Sequence, residues 1–451
     1  MNAQATDLGS TQAKKRPPGP REIPIVGSAY PLLKDPLNFL DRVSREYGDA
    51  VEFGIPGQRI YLFNHPDAIE QVLVTEREKL IKDKLTRELS LMLGKGLLVS
   101  EGAFWRKQRK LAQPGFHRER VAAYGEVMVE YAARCADGWT HGETRDVHKD
   151  MMRLTLDIVA KTLFGTDVGE VARKIEHSLE VLMDRFAGIG AILPIGLPLP
   201  SNFRTKKAIE TLDEITYGII RERRKSGDKG DLISMLIAAQ GDGADEGGMD
   251  DTQLRDEAIT LLLAGHETTA LTLGFAFDLL GRHPEIAKTL QAEVRGALGD
   301  RPATMADMAR LKYTDAVVRE SMRLYPPAWA IGREAIAPCT IGGYPIEPGT
   351  QLWAAQWVVH RDARWFPEPE TFKPERWDND FAKTLPRQAY FPFGGGPRIC
   401  IGNAFAQMEA VLVLATIVQR ASLEPTTAAL ELAPSVTLRP KGGLPMTVTK
   451  T

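Results

Sequence analysis

The sequence predicts a mainly α protein with small β-sheets, on three observations. Helical periodicity dominates from residue 64 to about 335, strand-like alternation is confined to short windows near 51–63, 339–357 and the C-terminus, and no internal repeat or linker divides the 451 residues. A helical body carrying small sheets is the packing solution for such a pattern. Hydrophobic residues are 43%, charged residues 26% and the net charge is -2, so the basic excess of a nucleic-acid binder is missing and no nucleic-acid partner is expected.

Taken in order, residues 1–16 are polar and end in Lys14-Lys15-Arg16. They lack the roughly 20 apolar residues of a membrane helix and the h-region of a signal peptide. A disordered tail, no membrane span and a cytoplasmic location are expected, with residues 17–451 as one domain and the chain as a monomer. Residues 36–47 read as a helix started by Pro36 and stopped by Gly48, and 51–53 with 59–63 as a hairpin around Pro56-Gly57. Further helices are predicted at 105–113, 148–164, 205–224, 251–280, 284–298 and 312–324. Residues 194–200 form an apolar, proline-punctuated loop. The polar, glycine-rich stretch 227–251 reads as a mobile surface connection. Strands return at 339–357 around Gly342-Gly343, a helix follows at 402–420, and strands close the chain around Gly442-Gly443.

The chemistry concentrates in Phe393-Gly394-Gly395-Gly396-Pro397-Arg398-Ile399-Cys400-Ile401-Gly402. One thiol sits in a glycine-built loop, where a bulky flat group can lie against the backbone. The other cysteines, Cys135 and Cys339, are far away and no C-x-x-C occurs, which argues against a zinc ribbon, an iron–sulfur cluster or a disulfide framework and fits a reducing compartment. A lone thiolate suits a metal that arrives with its other ligands attached, and haem is such a metal.

The segment 251–280 is apolar nearly all round and reads as a buried central helix. Ala264-Gly265-His266-Glu267-Thr268-Thr269 interrupts it with a glycine, a carboxylate and two hydroxyls. Threonine can back-bond to a carbonyl one turn earlier, so these residues alone do not assign a role. A zinc reading fails, because no second histidine follows at the H-E-x-x-H spacing. Glu320 and Arg323 share a helix face, and so do Trp105 and Arg109; either pair could be an ordinary solvated face.

Together these segments resemble the cytochrome P450 family, from about residue 17 to the end. The cysteine loop fills F-x-x-G-x-R-x-C-x-G, and Ala264–Thr269 fills [AG]-G-x-[DE]-T-[TS]. Glu320 and Arg323 fill E-x-x-R, Pro374-Glu375-Arg376-Trp377 fills P-E-R-[FW], and Trp105 with Arg109 fills W-x-x-x-R. The resemblance implies the cytochrome P450 fold, a helical body plus a β-rich lobe, and haem b as cofactor with Cys400 as axial thiolate. Phe393, Gly394 and Ala264 would also contact the cofactor. Trp105, Arg109, Arg398 and Arg333 would bind propionates, and Glu320, Arg323 and Arg376 would brace the loop. Dioxygen needs two protons before its O–O bond breaks; Thr268 and Glu267 would supply them, and Ala264 with Gly265 would leave it room.

The same resemblance implies a monooxygenase that inserts one oxygen atom into an apolar substrate by hydroxylation or epoxidation. Electrons would come from a ferredoxin- or flavodoxin-type donor at a basic face, Arg106, Lys107 and Lys110. Apolar residues at the family's substrate-contacting positions, Leu89, Leu97, Ala264, Ala328, Trp329 and Leu444, with 189–199, imply an apolar ligand. Fatty acids, terpenoids, steroids and macrolides all fit. A peroxygenase or hydroperoxide-rearranging enzyme, or a haem sensor, would not need the Glu267-Thr268 pair. The run Pro17-Pro18-Gly19-Pro20 is also similar to the hinge that follows the anchor of microsomal members.

Overall fold

Eleven helices of ten residues or more build the body of the computed structural model, which describes residues 16–166, 169, 171–186, 195, 197–241 and 248–451, side chains of Arg118 and Ala239 excepted. They are α1 (Pro36–Tyr47), α2 (Gly102–Ala112), α3 (Gly125–Asp137), α4 (Val147–Phe164), α5 (Val171–Phe186), α6 (Pro200–Ser226), α7 (Leu232–Gly241), α8 (Asp251–Arg282), α9 (Pro284–Leu298), α10 (Lys312–Leu324) and α11 (Asn403–Val418). Local chemistry sets several ends. Asp35 caps α1 by accepting from Asn38 N–H at 3.2 Å, and Asp250 caps α8 by accepting from Gln253 N–H at 2.6 Å. Gly165 ends α4 in the left-handed conformation.

The strands are β1 (Ala50–Ile55), β2 (Gln58–Phe63), β3 (Leu80–Lys82), β4 (Thr144–Asp146), β5 (Ile331–Ala335), β6 (Cys339–Ile341), β7 (Tyr344–Ile346), β8 (Gln351–Ala354), β9 (Ala421–Pro425), β10 (Leu432–Pro434), β11 (Leu438–Pro440) and β12 (Pro445–Lys450). The largest sheet runs β1-β2-β8-β5-β3, with only the β2–β8 pair parallel. A second sheet runs β4-β12-β9; β6–β7 and β10–β11 are hairpins. The main core surrounds α8, which is buried along nearly its whole length against α4 and α11. A satellite core lies under the first sheet.

The predicted helices all form, with ends shifted by a few residues. One expectation is overturned: within 227–251, residues Leu232–Gly241 are helical, and Leu232, Ile233 and Leu236 are fully buried. The apolar run there nucleates a helix capped by Asp231, which accepts from Ser234 N–H at 2.9 Å, while the flanking glycines and acids disguise it. The proline run is no loose hinge. Pro18 O accepts from Glu52 N–H at 2.8 Å, and a Cβ on Gly19 would stand 1.7 Å from Glu52 O. Residues 1–15, most of 187–196 and 242–247 lie outside the described residues, and so does much of the substrate-contacting stretch expected at 189–199. Among the described residues no helix is long and apolar enough to cross a membrane.

Candidate active site

The cysteine loop is wound by its own backbone. Phe391 O accepts from Gly394 N–H, and Phe393 O from Cys400 N–H, both at 2.9 Å. Gly394 and Gly396 take φ of 72° and 64°, and a Cβ on Gly396 would meet Leu73 O at 2.3 Å, so both glycines are needed. Gly402 is not: it caps α11 at φ -94°, where a Cβ would touch nothing closer than the Phe116 ring at 3.6 Å. Phe393 packs on the main core. The Cys400 side chain is exposed. Protein packed around one side of its sulfur still strips water from it and pushes the thiol up, and the Gly402 N–H and the Arg109 guanidinium act in the opposite direction.

Cations gather beside this loop. Arg109 donates to Ile399 O at 2.8 Å, and the guanidinium carbons of Arg109 and Arg398 lie 5.8 and 4.0 Å from the centre of the buried Trp105 ring. Arg398 also donates to Ser100 O at 2.8 Å and pairs with Glu101. Arg333 is buried on β5, and its guanidinium donates to the neighbouring Gly332 O at 2.8 Å. Directly opposite it in the β3–β5 register is Lys82, another cation. Burial, then Arg333 and Arg398, push the Lys82 ammonium down to about 7; burial likewise holds Arg398 down, to about 10.

Like charges placed opposite one another destabilise a strand pair, and buried unpaired cations cost several kcal/mol. Lys82, Arg333 and Arg398, with Arg109 beside them, are faced nearby by Glu101 and Asp83, so cations outnumber carboxylates even with Lys82 partly neutral. Further carboxylates fit that excess. A flat macrocycle with two propionates and an iron open to a thiolate matches this donor set. Nothing in the sequence marks Lys82, because its role depends on cross-strand register.

On α8 the polar interruption leaves the helix continuous. Thr268 donates to Ala264 O at 2.8 Å and Thr269 to Gly265 O at 3.2 Å. Ala264 is exposed and Thr268 half-buried on a helix that is otherwise buried, so both open onto a cleft. Gly265 does not make room there, as was expected: a Cβ on it would stand 3.1 Å from Val159 Cγ2, so it permits the α4–α8 contact. Glu267 is buried and held by the β10–β11 hairpin. Its Oε1 accepts from Thr437 Oγ1 at 2.5 Å and pairs with Arg439 at 2.6 Å.

The three brace residues meet. Glu320 and Arg323 are fully buried, paired at 2.9 Å, and Arg376 Nε approaches Glu320 at 3.3 Å. Glu320 also accepts from Trp377 Nε1 at 2.9 Å. Arg323 donates to His360 O at 2.8 Å, and His360 Nε2 accepts from Phe391 N–H at 3.0 Å, so His360 joins the brace to the start of the cysteine loop. Burial drives its imidazole well below the usual histidine range, which keeps it neutral and able to accept.

The apolar wall comes together only in part. Leu89 and Trp329 border a cavity of about 90 Å³ with Ser435 and Val436, and Trp329 Nε1 donates to Ser435 O at 2.8 Å, so the ring is pinned to the hairpin beside half-buried Ala328. Leu97 is buried against α8, its N–H donating to Glu257 at 2.9 Å. Leu444 is misplaced by the sequence reading. It sits on Gly274, well past Thr268, and its carbonyl accepts from Val147 N–H at 2.9 Å, which makes it a core residue between α4 and α8. The hairpin turn at 435–437 occupies the place that had been given to Leu444. On α2, Arg106 and Lys110 are exposed, but Lys107 is half-buried and lines a groove with Asp213 and Asp256. It does not share their face.

Glu409 on α11 is fully buried, with the Thr269 hydroxyl as the one group that favours its charged form. Burial raises its carboxyl well above the usual range, so its stabilising share is fully present below the ordinary glutamate value and is lost as pH rises through the folded one. That share should fall at about 1.4 kcal/mol per pH unit. Glu409→Gln is expected to remove this slope in thermal melts between pH 5 and 8; an unchanged slope would assign the pH dependence elsewhere.

The family model described as Cytochrome P450 matches residues 17–444. The chain belongs to the cytochrome P450 family. As a P450 it is a haem-thiolate monooxygenase that uses dioxygen and a redox partner on apolar substrates. Similar relatives include cyclooctatin synthase of Streptomyces melanosporofaciens, 38% identical over 95% of this chain and 93% of that one. Cyclooctat-9-en-7-ol 5-monooxygenase of the same organism is 38% identical over 90% and 89%, and pentalenene oxygenase of Streptomyces avermitilis 32% over 90% and 91%.

Proposed function

We propose that this P450 oxidises a terpenoid, an unsaturated hydrocarbon or its mono-alcohol, with haem b held by Cys400 and by the cations around it. The observation that carries the cofactor assignment is the opposed pair Lys82 and Arg333, joined by Arg398 over Trp105. Terpenoids are favoured among the apolar classes because two relatives bear the names of an alkene and an alkenol. Thiolate-bound haem supplies dioxygen activation and oxygen insertion. Lys82, Arg109, Arg333 and Arg398 hold the propionates, Trp105 supports the two arginines, and Phe393, Gly394 and Gly396 shape the loop at the sulfur. Leu89, Leu97, Ala264, Ala328 and Trp329 exclude water from the apolar side.

Thr268 keeps its proton on the Ala264 carbonyl, which leaves its oxygen lone pairs to accept from a water or a reacting group in the cleft. Glu267, anchored through one oxygen, offers the other for proton transfer. Glu320, Arg323 and Arg376 position the loop. The same reading takes residues 17–451 as one domain, a cytoplasmic monomer that receives electrons from a ferredoxin- or flavodoxin-type donor at Arg106 and Lys110.

A panel of terpenoid hydrocarbons and mono-alcohols, set against fatty acids, steroids and macrolides, tests the substrate. Terpenoids should give the largest low- to high-spin shift of the haem; a larger shift from another class overturns the assignment. Thr268→Ala should still consume reductant, its electrons and two protons leaving on dioxygen as hydrogen peroxide, with product per reductant down about tenfold to a hundredfold. Unchanged coupling would remove Thr268 from proton delivery.

A further inference from the structure

The chain between the four-residue helix Ser90–Leu93 and α2 lies as a strap across the first two turns of α8. Lys95 N–H donates to Asp256 at 2.7 Å and Leu97 N–H to Glu257 at 2.9 Å. Gln253 Nε2 reaches both the Lys95 carbonyl at 3.2 Å and Glu257 at 2.8 Å, and Arg255 donates to Met92 O at 3.1 Å. The approach is as close as backbone allows. A Cβ on Gly94 would fall 2.0 Å from the Asp256 carboxylate, and one on Gly96 would fall 1.9 Å from Thr260 Oγ1. At its far end the strap is tied to the cation cluster, where Ser100 O accepts from Arg398 at 2.8 Å.

Glu257 precedes Ala264 by seven residues and Thr268 by eleven, two and three helical turns, so all three share one face of α8. The strap therefore crosses α8 on the side that faces the cleft, at one end of it. Outside the strap lies a groove of about 560 Å³, bordered by Lys95, Gln253, Arg255 and Asp256.

We infer that Glu257, assisted by Asp256 and Gln253, is a specificity-determining positioning residue: through the Leu97 N–H it sets where the Leu97 side chain stands and so the shape of the apolar wall. This rests on the monooxygenase reading, though not on the identity of the substrate. A buried carboxylate with no other task would be costly, and here each oxygen has a partner. Burial pushes the Glu257 carboxyl up to about 7, against the Leu97 N–H and Gln253; a glutamine there keeps one oxygen to accept from the Leu97 N–H and gives up the acceptor that faces Gln253.

The test uses the holoenzyme and two probes that ligate haem iron, imidazole and 4-phenylimidazole, titrated by the Soret shift. Glu257→Leu should weaken 4-phenylimidazole about tenfold and leave imidazole unchanged, with Glu257→Gln close to wild type. Hydrogen exchange at the Leu97 amide should rise in the leucine variant alone. A glutamine variant as impaired as leucine would make the charge, not the positioning, decisive and overturn the proposal. Equal losses for both probes would do the same, by reducing Glu257 to a general structural role. In a Leu97→Ala background, Glu257→Leu should cost little more for 4-phenylimidazole; additive losses would show that Glu257 does not act through Leu97. A normal ferrous carbonyl spectrum in every variant separates failure here from failure of the haem assignment.

Discussion

Cys400→Ala is expected to abolish the red-shifted Soret band of the ferrous carbonyl complex and to reduce product formation to background, in a protein that still folds. Folding should survive because the residue is exposed and the loop is wound by main-chain bonds, Cys400 N–H to Phe393 O at 2.9 Å and Gly394 N–H to Phe391 O at 2.9 Å, which an alanine retains. What is lost is the sulfur. A thiolate pushes electron density to iron and favours O–O cleavage, and Cys135 and Cys339 stand on other elements, α3 and β6, and cannot replace it. Carbonyl spectra and thermal melts on the same preparation separate the two effects. A surviving band would assign the ligand elsewhere, and a collapsed melt would mean the side chain is structural.

Glu320→Ala should be the most destabilising single change in the brace, by about 3–5 kcal/mol, the cost of stranding a buried charge. Arg323 is fully buried and Arg376 nearly so, and Glu320 is the carboxylate paired with both. Trp377 Nε1 and Lys373 N–H would lose their acceptor as well. Glu320→Gln keeps acceptor oxygen for some of these donors and should cost less. Denaturant midpoints measure both. The effect should also reach the haem, because Arg323 holds the His360 carbonyl and His360 holds Phe391, where the cysteine loop begins. A loss below about 1 kcal/mol for the alanine variant would reduce the triad to an ordinary ion pair.

Motif residues were legible in the sequence because each acts at a fixed offset along one element. Trp105 and Arg109 share a helix face, as do Glu320 and Arg323, and the cysteine loop is contiguous. The elements were legible where periodicity was long, as in α8 and α10. What could not be read depends on pairing between distant segments. Lys82 matters because β3 sets it opposite Arg333, and Thr437 and Arg439 because a hairpin brings them to Glu267. Leu444 went astray for the same reason: an apolar residue near the C-terminus is equally at home in core or cleft, and only packing against Gly274 decides. The helix Leu232–Gly241 was hidden because glycines and acids on either side outweighed a mostly apolar stretch between them.

The face-to-face lysine and arginine on β3 and β5 also bear on the protein without its prosthetic group. β3 is a three-residue strand at the edge of the sheet, paired with β5, and the like charges at its last position weaken that pair when no anion lies beside them. A chain without haem should therefore open this edge more readily than the holoprotein, seen as faster hydrogen exchange at Ile81 and Lys82.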